Sequence, residues 1–134
     1  MEESFQYRSE IHEIPNIRKD LGELESAWKI SESKMRQIRV IVEELFSNIV
    51  RFGYEDAEEH VIEVRICRNE NVIEIEIIDD GIAFNPLEYS EDTHGDPALV
   101  ELGGMGLTLV RTFSSNMSYQ RIGGKNQLKI EKKI

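Results

Sequence analysis

The chain has few of the residues that form disulfide-rich or membrane-spanning proteins. It contains one cysteine, Cys67, among 134 residues, and one thiol cannot form an internal disulfide framework. Its apolar runs fall well short of the roughly 20 residues that cross a bilayer, and its N-terminus lacks the basic-then-apolar pattern of a secretory signal. We therefore expect a cytoplasmic protein with no membrane partner.

Basic residues are also scarce. The chain has 16 Lys and Arg against 26 Asp and Glu, which gives a formal net charge of -10. Nucleic-acid binding depends on neutralising phosphates with clustered basic side chains, so this composition excludes DNA and RNA from the expected partners. A protein partner would be expected to present a basic surface to this chain.

Apolar residues are plentiful enough, at 40%, to form the core of one domain, which we predict to span residues 1–134. Their spacing predicts helices and strands. The predicted elements are a strand alternating over Phe5–Ile11, helices over Pro15–Lys29, Lys34–Phe52 and Gly104–Phe113, a hairpin of Val61–Cys67 with Val72–Ile78, and a hairpin of Met117–Ile122 with Gln127–Ile134. Strands that come in pairs, without regular strand-helix alternation, favour an α+β two-layer sandwich.

Three connections complete this prediction. Gly53 follows the second helix, at a position where a left-handed residue is common. The stretch from about residue 85 to 103 has prolines, acidic residues and little periodicity, which is typical of an active-site lid. The last hairpin is predicted to turn through residues 123–126.

The first candidate site segment lies on the second predicted helix. Glu44 and Asn48 are four residues apart and so share one helix face, beside the apolar stripe. The Asn48 carbonyl oxygen suits Mg²⁺, which prefers a few hard oxygen ligands together with waters and phosphates. Glu44 would then orient or deprotonate a group that attacks a phosphate. The alternative is an ordinary solvated helix face, and for this segment alone that alternative is favoured.

The second segment, Asp79-Asp80-Gly81, ends a strongly apolar strand. A carboxylate can accept a hydrogen bond from an exocyclic amine such as that of adenine. Gly81 would let the backbone approach a flat ring closely. The alternative is a plain turn, since Asp and Gly are common turn residues.

The third segment is a glycine-rich turn that leads into a helix. Gly103, Gly104 and Gly106 precede Leu107 and Thr108. Free backbone N–H groups at a helix start can bind phosphates, although the Gly-Lys-Ser/Thr ending of a P-loop is missing. A flexible entry to the helix is about as good an explanation of this segment taken alone.

The three segments together resemble the N, G1 and G2 boxes of the GHKL ATPase superfamily, which includes gyrase, histidine kinases and MutL repair proteins. The match is to Glu44 with Asn48, Asp79 with Gly81, and Gly104 with Gly106. The Gly-Met-Gly-x-Thr sequence at 104–108 and the Gly-Tyr pair after the second helix are most similar to bacterial anti-sigma-factor serine/threonine kinases.

The resemblance implies a Bergerat-type fold, with a mixed, mostly antiparallel sheet covered by helices on one face, that binds ATP and Mg²⁺. It makes Glu44 the catalytic base and Asn48 the Mg²⁺ ligand. The positions implied in nucleotide binding are Asn48, Asp79, Gly81, Ala83, Gly104, Met105, Gly106, Leu107 and Thr108. The implied activity is phosphorylation of a small antagonist protein by a chain that also binds a sigma factor. Homodimers are common in that family, but no sequence feature fixes an interface.

The chain departs from the family pattern at several positions. Ala83 replaces the second glycine of the G1 box, Phe52 replaces a histidine, and Leu102 replaces a basic residue before G2. Asn126 and Gln127 stand where the family has threonines. These departures keep two alternatives open: a module that binds ATP or ADP and sequesters a regulator without phosphotransfer, and a structural domain that binds no nucleotide.

Overall fold

The structure is a computed structural model that describes residues 1–88 and 104–134. Within these ranges, three α-helices pack on one face of a five-stranded sheet. In chain order the elements are β1 (Glu2–Arg8), α1 (Ile14–Ala27), α2 (Glu32–Phe52), β2 (Val61–Asn69), β3 (Val72–Asp79), α3 (Gly104–Phe113), β4 (Asn116–Ile122) and β5 (Lys125–Lys133). Short 3-10 turns cover Ile11–Glu13 and Pro86–Glu88.

The strand order is β1-β2-β3-β5-β4, and each neighbouring pair is antiparallel. The α+β two-layer sandwich predicted from the sequence is therefore confirmed, and the described sheet is antiparallel instead of mixed. Because β3 occupies the centre, its end at Asp79 lies directly opposite Asn126 of β5. This register brings one predicted site residue beside a residue of the last hairpin.

The two faces of the sheet differ in chemistry. The inner face is apolar and packs against the helices, with Ile62, Ile75 and Ile130 all fully buried. The outer face bears ion pairs such as Lys129 with Glu74. Alternation of apolar and polar residues along each strand produces this division, since successive side chains point to opposite faces.

A side-chain cap explains where the long helix α2 begins, whereas its end lacks the left-handed residue that the sequence predicts. The Ser31 hydroxyl accepts a hydrogen bond from the Lys34 backbone N–H at 3.2 Å and so caps the first turn. Gly53 follows the last turn with φ -80° and ψ -16°, so the prediction of a left-handed residue there is wrong. The Gly53 N–H continues the helical pattern by donating to Ile49. The helix thus ends without a left-handed residue.

The predicted bounds of the first strand and of the last turn are wrong, and several other predicted ends differ from the structure by one or two residues. The first strand ends at Arg8 and does not reach Ile11, because the Arg8 carbonyl accepts from the Glu10 N–H and the chain turns there. The last hairpin turns through Gly123 and Gly124 alone, both with positive φ, so Lys125 and Asn126 belong to β5. Two-residue turns with two left-handed residues match the twist of the strands they connect.

Most of the predicted lid lies outside the described residues, as do Leu102 and Gly103. No helix in the described ranges combines the length and apolar composition that a membrane span requires.

Candidate functional site

A cavity of about 110 Å³ lies where the C-terminal half of α2, the end of β3 and the helix α3 meet β4 and β5. Its wall is mostly apolar and includes a few polar side chains. The described lining residues are Leu45, Asn48, Ile49, Phe52, Gly53, Ile77, Asp79, Ile82, Phe84, Pro86, Leu107, Tyr119, Asn126 and Leu128. Apolar walls with a small number of oriented polar groups are typical of small-molecule sites.

The helix α2 contributes Asn48 to this cavity. Its amide nitrogen is buried and has no hydrogen-bond partner within residues 1–88 and 104–134. A buried polar group without a partner is costly, so this amide has unused capacity to bind a ligand. The same part of the chain holds no cluster of three or more histidine, cysteine or acidic side chains able to bind a metal. A metal here would take ligands mainly from phosphates and water, which is how Mg²⁺ is usually held.

Glu44 lies one turn earlier on α2 and contacts α3 beside the cavity. A Cβ atom built on Gly106 would lie 2.2 Å from Glu44 Oε2, so the carboxylate rests against the backbone of the first turn of α3. Only glycine leaves room for this approach. Glu44 is half-buried, but it is not among the described residues that line the cavity.

The end of β3 places Asp79 in the wall. Its side chain is buried, and its Oδ1 accepts hydrogen bonds from the Gly81 N–H at 2.9 Å and from Asn126 Nδ2 at 3.0 Å. Burial raises the pKa of the Asp79 carboxyl above its ordinary value, and the two hydrogen bonds oppose that rise. Both hydrogen bonds that Asp79 accepts from the described residues fall on Oδ1, so Oδ2 is the oxygen with capacity for a ligand.

The turn after β3 packs tightly against the end of α2. The Ile82 N–H donates to the Gly53 carbonyl at 2.8 Å. A Cβ atom on Gly81 would lie 2.3 Å from the same carbonyl oxygen, so glycine is required at this contact. The packing fixes the position of the Asp79 segment relative to Asn48.

The predicted site residues thus divide into two groups. Asn48, Asp79 and Leu107 line the cavity together. The others are not among the described lining residues: Glu44 lies against α3, Gly81 lies in the turn, Ala83 is exposed in that turn, and Gly104, Met105, Gly106 and Thr108 belong to the first turns of α3. Each of the three motifs therefore contributes at least one residue to the cavity wall.

Sequence reasoning missed part of the wall. Tyr119 and Asn126 line the cavity from β4 and β5, and Arg121 Nη1 donates to the Gly81 carbonyl at 2.8 Å. In the sheet register Arg121 lies opposite Asn126, which lies opposite Asp79. The adjacent glycines Gly123 and Gly124 could have indicated this part of the wall, because a two-residue turn at these positions places Asn126 in the last strand.

A second polar cluster joins the loop that follows α2 to Asp80, the residue after Asp79. His60 stacks on Tyr54, with ring centroids 4.0 Å apart, and contacts Asp56 at 2.7 Å and Asp80 at 3.2 Å. The hydrogen bond with Asp56 is the main cause that raises the pKa of His60 above its ordinary value. This cluster connects the loop after α2 to the acidic end of β3.

Comparison with known proteins identifies relatives of this chain. The anti-sigma F factor of Clostridium beijerinckii is 30% identical over 81 residues, which cover 60% of this chain and 57% of that protein. The anti-sigma F factor of Clostridium perfringens strain 13 is 33% identical over 87 residues, which cover 63% and 61%. The chain therefore spans about three fifths of the length of these curated relatives.

Solved structures share the fold. The RsbU and RsbW domains of a Mycobacterium tuberculosis protein give a TM-score of 0.69 at 14% identity, over 99% of this chain and 32% of that chain. The SiaB-SiaC complex of Pseudomonas aeruginosa gives a TM-score of 0.56 at 18% identity, over 98% and 89%. Residues 7–132 also match the family model described as the histidine kinase-like ATPase domain. With a match over nearly its whole length and the same fold, the chain belongs to the histidine kinase-like ATPase family, the GHKL group that its three motifs predict.

Proposed function

We propose that this chain binds Mg·ATP in the cavity between α2, β3 and α3 and transfers the terminal phosphate to a serine or threonine of a small partner protein. The observation that carries the proposal is the convergence of Asn48, Asp79 and the start of α3 on one cavity. Family membership supports nucleotide binding, and the anti-sigma F factor relatives support a regulatory kinase.

Asp79 is the residue we assign to the base. Its Oδ1 is occupied by two hydrogen bonds, which leaves Oδ2 to accept from the exocyclic amine of adenine. The lining also includes the apolar side chains of Ile82 and Phe84, which suit a flat aromatic ring.

Asn48 is the residue we assign to the metal. Its side chain lies in the cavity wall, and a carboxamide oxygen is a hard ligand of the kind that Mg²⁺ prefers. The buried amide nitrogen has no partner within the described residues, so this group also has donor capacity for a ligand. Bound Mg²⁺ would supply neutralisation of the charge that develops on the phosphates. The N–H groups at the start of α3 would add a favourable electrostatic environment for those phosphates.

Glu44 is the residue we assign to the partner hydroxyl. It lies one turn from Asn48 on the same helix and rests against Gly106 where α3 begins. A carboxylate at this place can accept the proton of the attacking serine or threonine hydroxyl, or orient that hydroxyl towards the phosphate.

Two measurements test the proposal in sequence. Calorimetry with Mg·ATP tests binding, and absence of binding would refute the proposed function and favour a structural domain without nucleotide. Transfer of labelled phosphate from ATP to candidate small antagonist proteins then tests the reaction. The same samples can be tested for binding of a sigma factor, as expected from the names of the curated relatives.

Glu44→Gln should abolish transfer while leaving nucleotide binding within a fewfold of the unchanged protein. Glu43→Gln is the matched control, because Glu43 is the adjacent carboxylate on α2 and pairs with Arg18 at 2.5 Å on the side of α1. Equal loss in both variants, or full transfer in Glu44→Gln, would contradict the assigned role.

The second candidate function is a module that binds ATP or ADP and sequesters a regulator without phosphotransfer. It is favoured by the position of Glu44, which lies against α3 and is not among the described residues that line the cavity. Nucleotide-dependent binding of a sigma factor, with no transfer to any antagonist tested, would support this candidate over the kinase.

A further inference from the structure

Asn126 uses its whole hydrogen-bonding capacity within the protein. Its Nδ2 donates to Asp79 Oδ1 at 3.0 Å and to the Ile82 carbonyl at 2.7 Å. Its Oδ1 accepts from the Phe84 N–H at 3.3 Å and from the Tyr119 hydroxyl. A carboxamide offers two donors and two acceptor lone pairs, so these four bonds leave nothing for a ligand.

The partners also fix which way the amide points. Oδ1 faces two donors, and Nδ2 faces two acceptors. Exchanging the two atoms would set the amide oxygen against the Asp79 carboxylate and the nitrogen against two donors, so the hydrogen-bond network selects one orientation. Tyr119 contributes to that selection through its hydrogen bond to Asn126 Oδ1.

We propose that Asn126 is a positioning residue for base recognition, which acts through Asp79 and makes no hydrogen bond of its own to the nucleotide. It occupies one oxygen of the Asp79 carboxylate and leaves the other as a pure acceptor in the cavity. The site then accepts a purine nucleotide with an exocyclic amine and rejects one with a carbonyl at the same place. This inference rests on the proposed ATP site.

The charge of Asp79 links this role to pH. Burial raises the pKa of Asp79, and the Asn126 hydrogen bond is the largest of the effects that lower it. Protonation would turn the free oxygen from an acceptor into a donor and remove the preference for an amine. Other ionisable groups of the described residues lie near Asp79: Asp80 beside it, Arg121 across the sheet and Tyr54 in the loop after α2. Asp79 also lines a second, polar depression together with Glu59, His60, Glu63 and Lys125.

The test compares Asn126→Leu with the unchanged protein. The Asp79 carboxyl is titrated by ¹³C NMR in the ligand-free protein, and the affinities for Mg·ATP and Mg·ITP are measured by calorimetry between pH 5 and 9. ITP differs from ATP by a carbonyl in place of the amine. We expect the pKa of Asp79 to rise by about one unit or more, since a hydrogen bond to a charged group is lost. The pH below which ATP affinity declines should increase together with the pKa of Asp79. The preference for ATP over ITP should fall at least tenfold at pH 7.

Two further variants keep the test decisive. Tyr119→Phe removes only the hydroxyl that fixes the amide, so it should shift the pKa of Asp79 in the same direction by a smaller amount, and it provides the result if Asn126→Leu does not fold. Gln120 is the exposed neighbour of Tyr119 in β4, so Gln120→Ala is the control. Its pKa of Asp79 and its nucleotide affinities should match those of the unchanged protein.

The outcomes separate the two proposals. Equal losses of ATP and ITP affinity at every pH, with an unchanged pKa of Asp79, would show that Asn126 only stabilises the fold and would overturn the inference. If the unchanged protein binds no ATP, the proposed function fails, and the NMR titration still measures whether Asn126 controls the charge of Asp79.

Discussion

Gly81 is a position where a single methyl group should disturb both the fold and the site. In Gly81→Ala, the new Cβ would lie 2.3 Å from the Gly53 carbonyl oxygen and 3.0 Å from Asp79 Oδ1. The first contact is with backbone, which cannot rotate away as a side chain can. The turn after β3 would have to move by about 1 Å to restore an ordinary van der Waals distance.

The expected magnitude follows from this movement. Overpacking costs about 1–3 kcal/mol, and the hydrogen bond from Ile82 to Gly53 adds about 1 kcal/mol if the movement breaks it. We therefore expect the free energy of unfolding to fall by about 2–4 kcal/mol. Gly22→Ala is the matched control, because Gly22 lies within α1 and has nothing within 4 Å of its built Cβ. That substitution should stabilise the chain by about 0.5–1 kcal/mol.

Urea unfolding followed by circular dichroism measures both effects in the absence of nucleotide. Calorimetry with Mg·ATP then measures the site, where we expect weaker binding for Gly81→Ala and an unchanged dissociation constant for Gly22→Ala. Equal stabilities of the two variants would refute the reasoning, because it depends on the difference between a crowded and an open glycine.

Three further predictions concern charge and contact around the cavity. Burial raises the pKa of Asp79, so its charged form destabilises the folded protein, and Asp79→Asn should be more stable than the unchanged protein above the folded pKa of Asp79. This difference in the free energy of unfolding should disappear towards pH 3.8, and the affinity of the variant for ATP should fall at least tenfold. Lower stability of the variant at pH 7 would contradict this prediction. Gly106→Ala places a Cβ near the flexible end of Glu44, so the free energy of unfolding should change by less than about 1 kcal/mol while phosphate transfer drops at least tenfold, and unchanged transfer would count against Glu44 as the base. The pKa of His60 is raised mainly by Asp56, so protonated His60 stabilises the folded protein fully below pH 6.5, and this stabilisation is lost as pH rises through the folded pKa. In His60→Gln the melting temperature should depend less on pH over that range. An unchanged pH dependence would contradict the role given to the pair of His60 and Asp56.

Periodicity predicted the elements of this fold well, and it was least accurate at their ends. The long helix α2 was predicted because its apolar residues recur every three or four positions. The end of the first strand was predicted three residues too late because Ile11 continues the alternation, whereas hydrogen bonds between Arg8, Glu10 and Glu13 turn the chain. The alternation of apolar and polar side chains does not predict where such hydrogen bonds turn the backbone.

By itself, the sequence determined the α+β class, the three motifs and the family, because hydrophobic spacing and residue type act locally along the chain. Only the tertiary structure decided which residues share the cavity. Asp79 and Asn126 are 47 positions apart and meet through strand register, which depends on the pairing of β3 with β5. The contact of Glu44 with Gly106 likewise depends on how α2 packs against α3. Such contacts are set by packing between elements, and no local pattern in the sequence contains them.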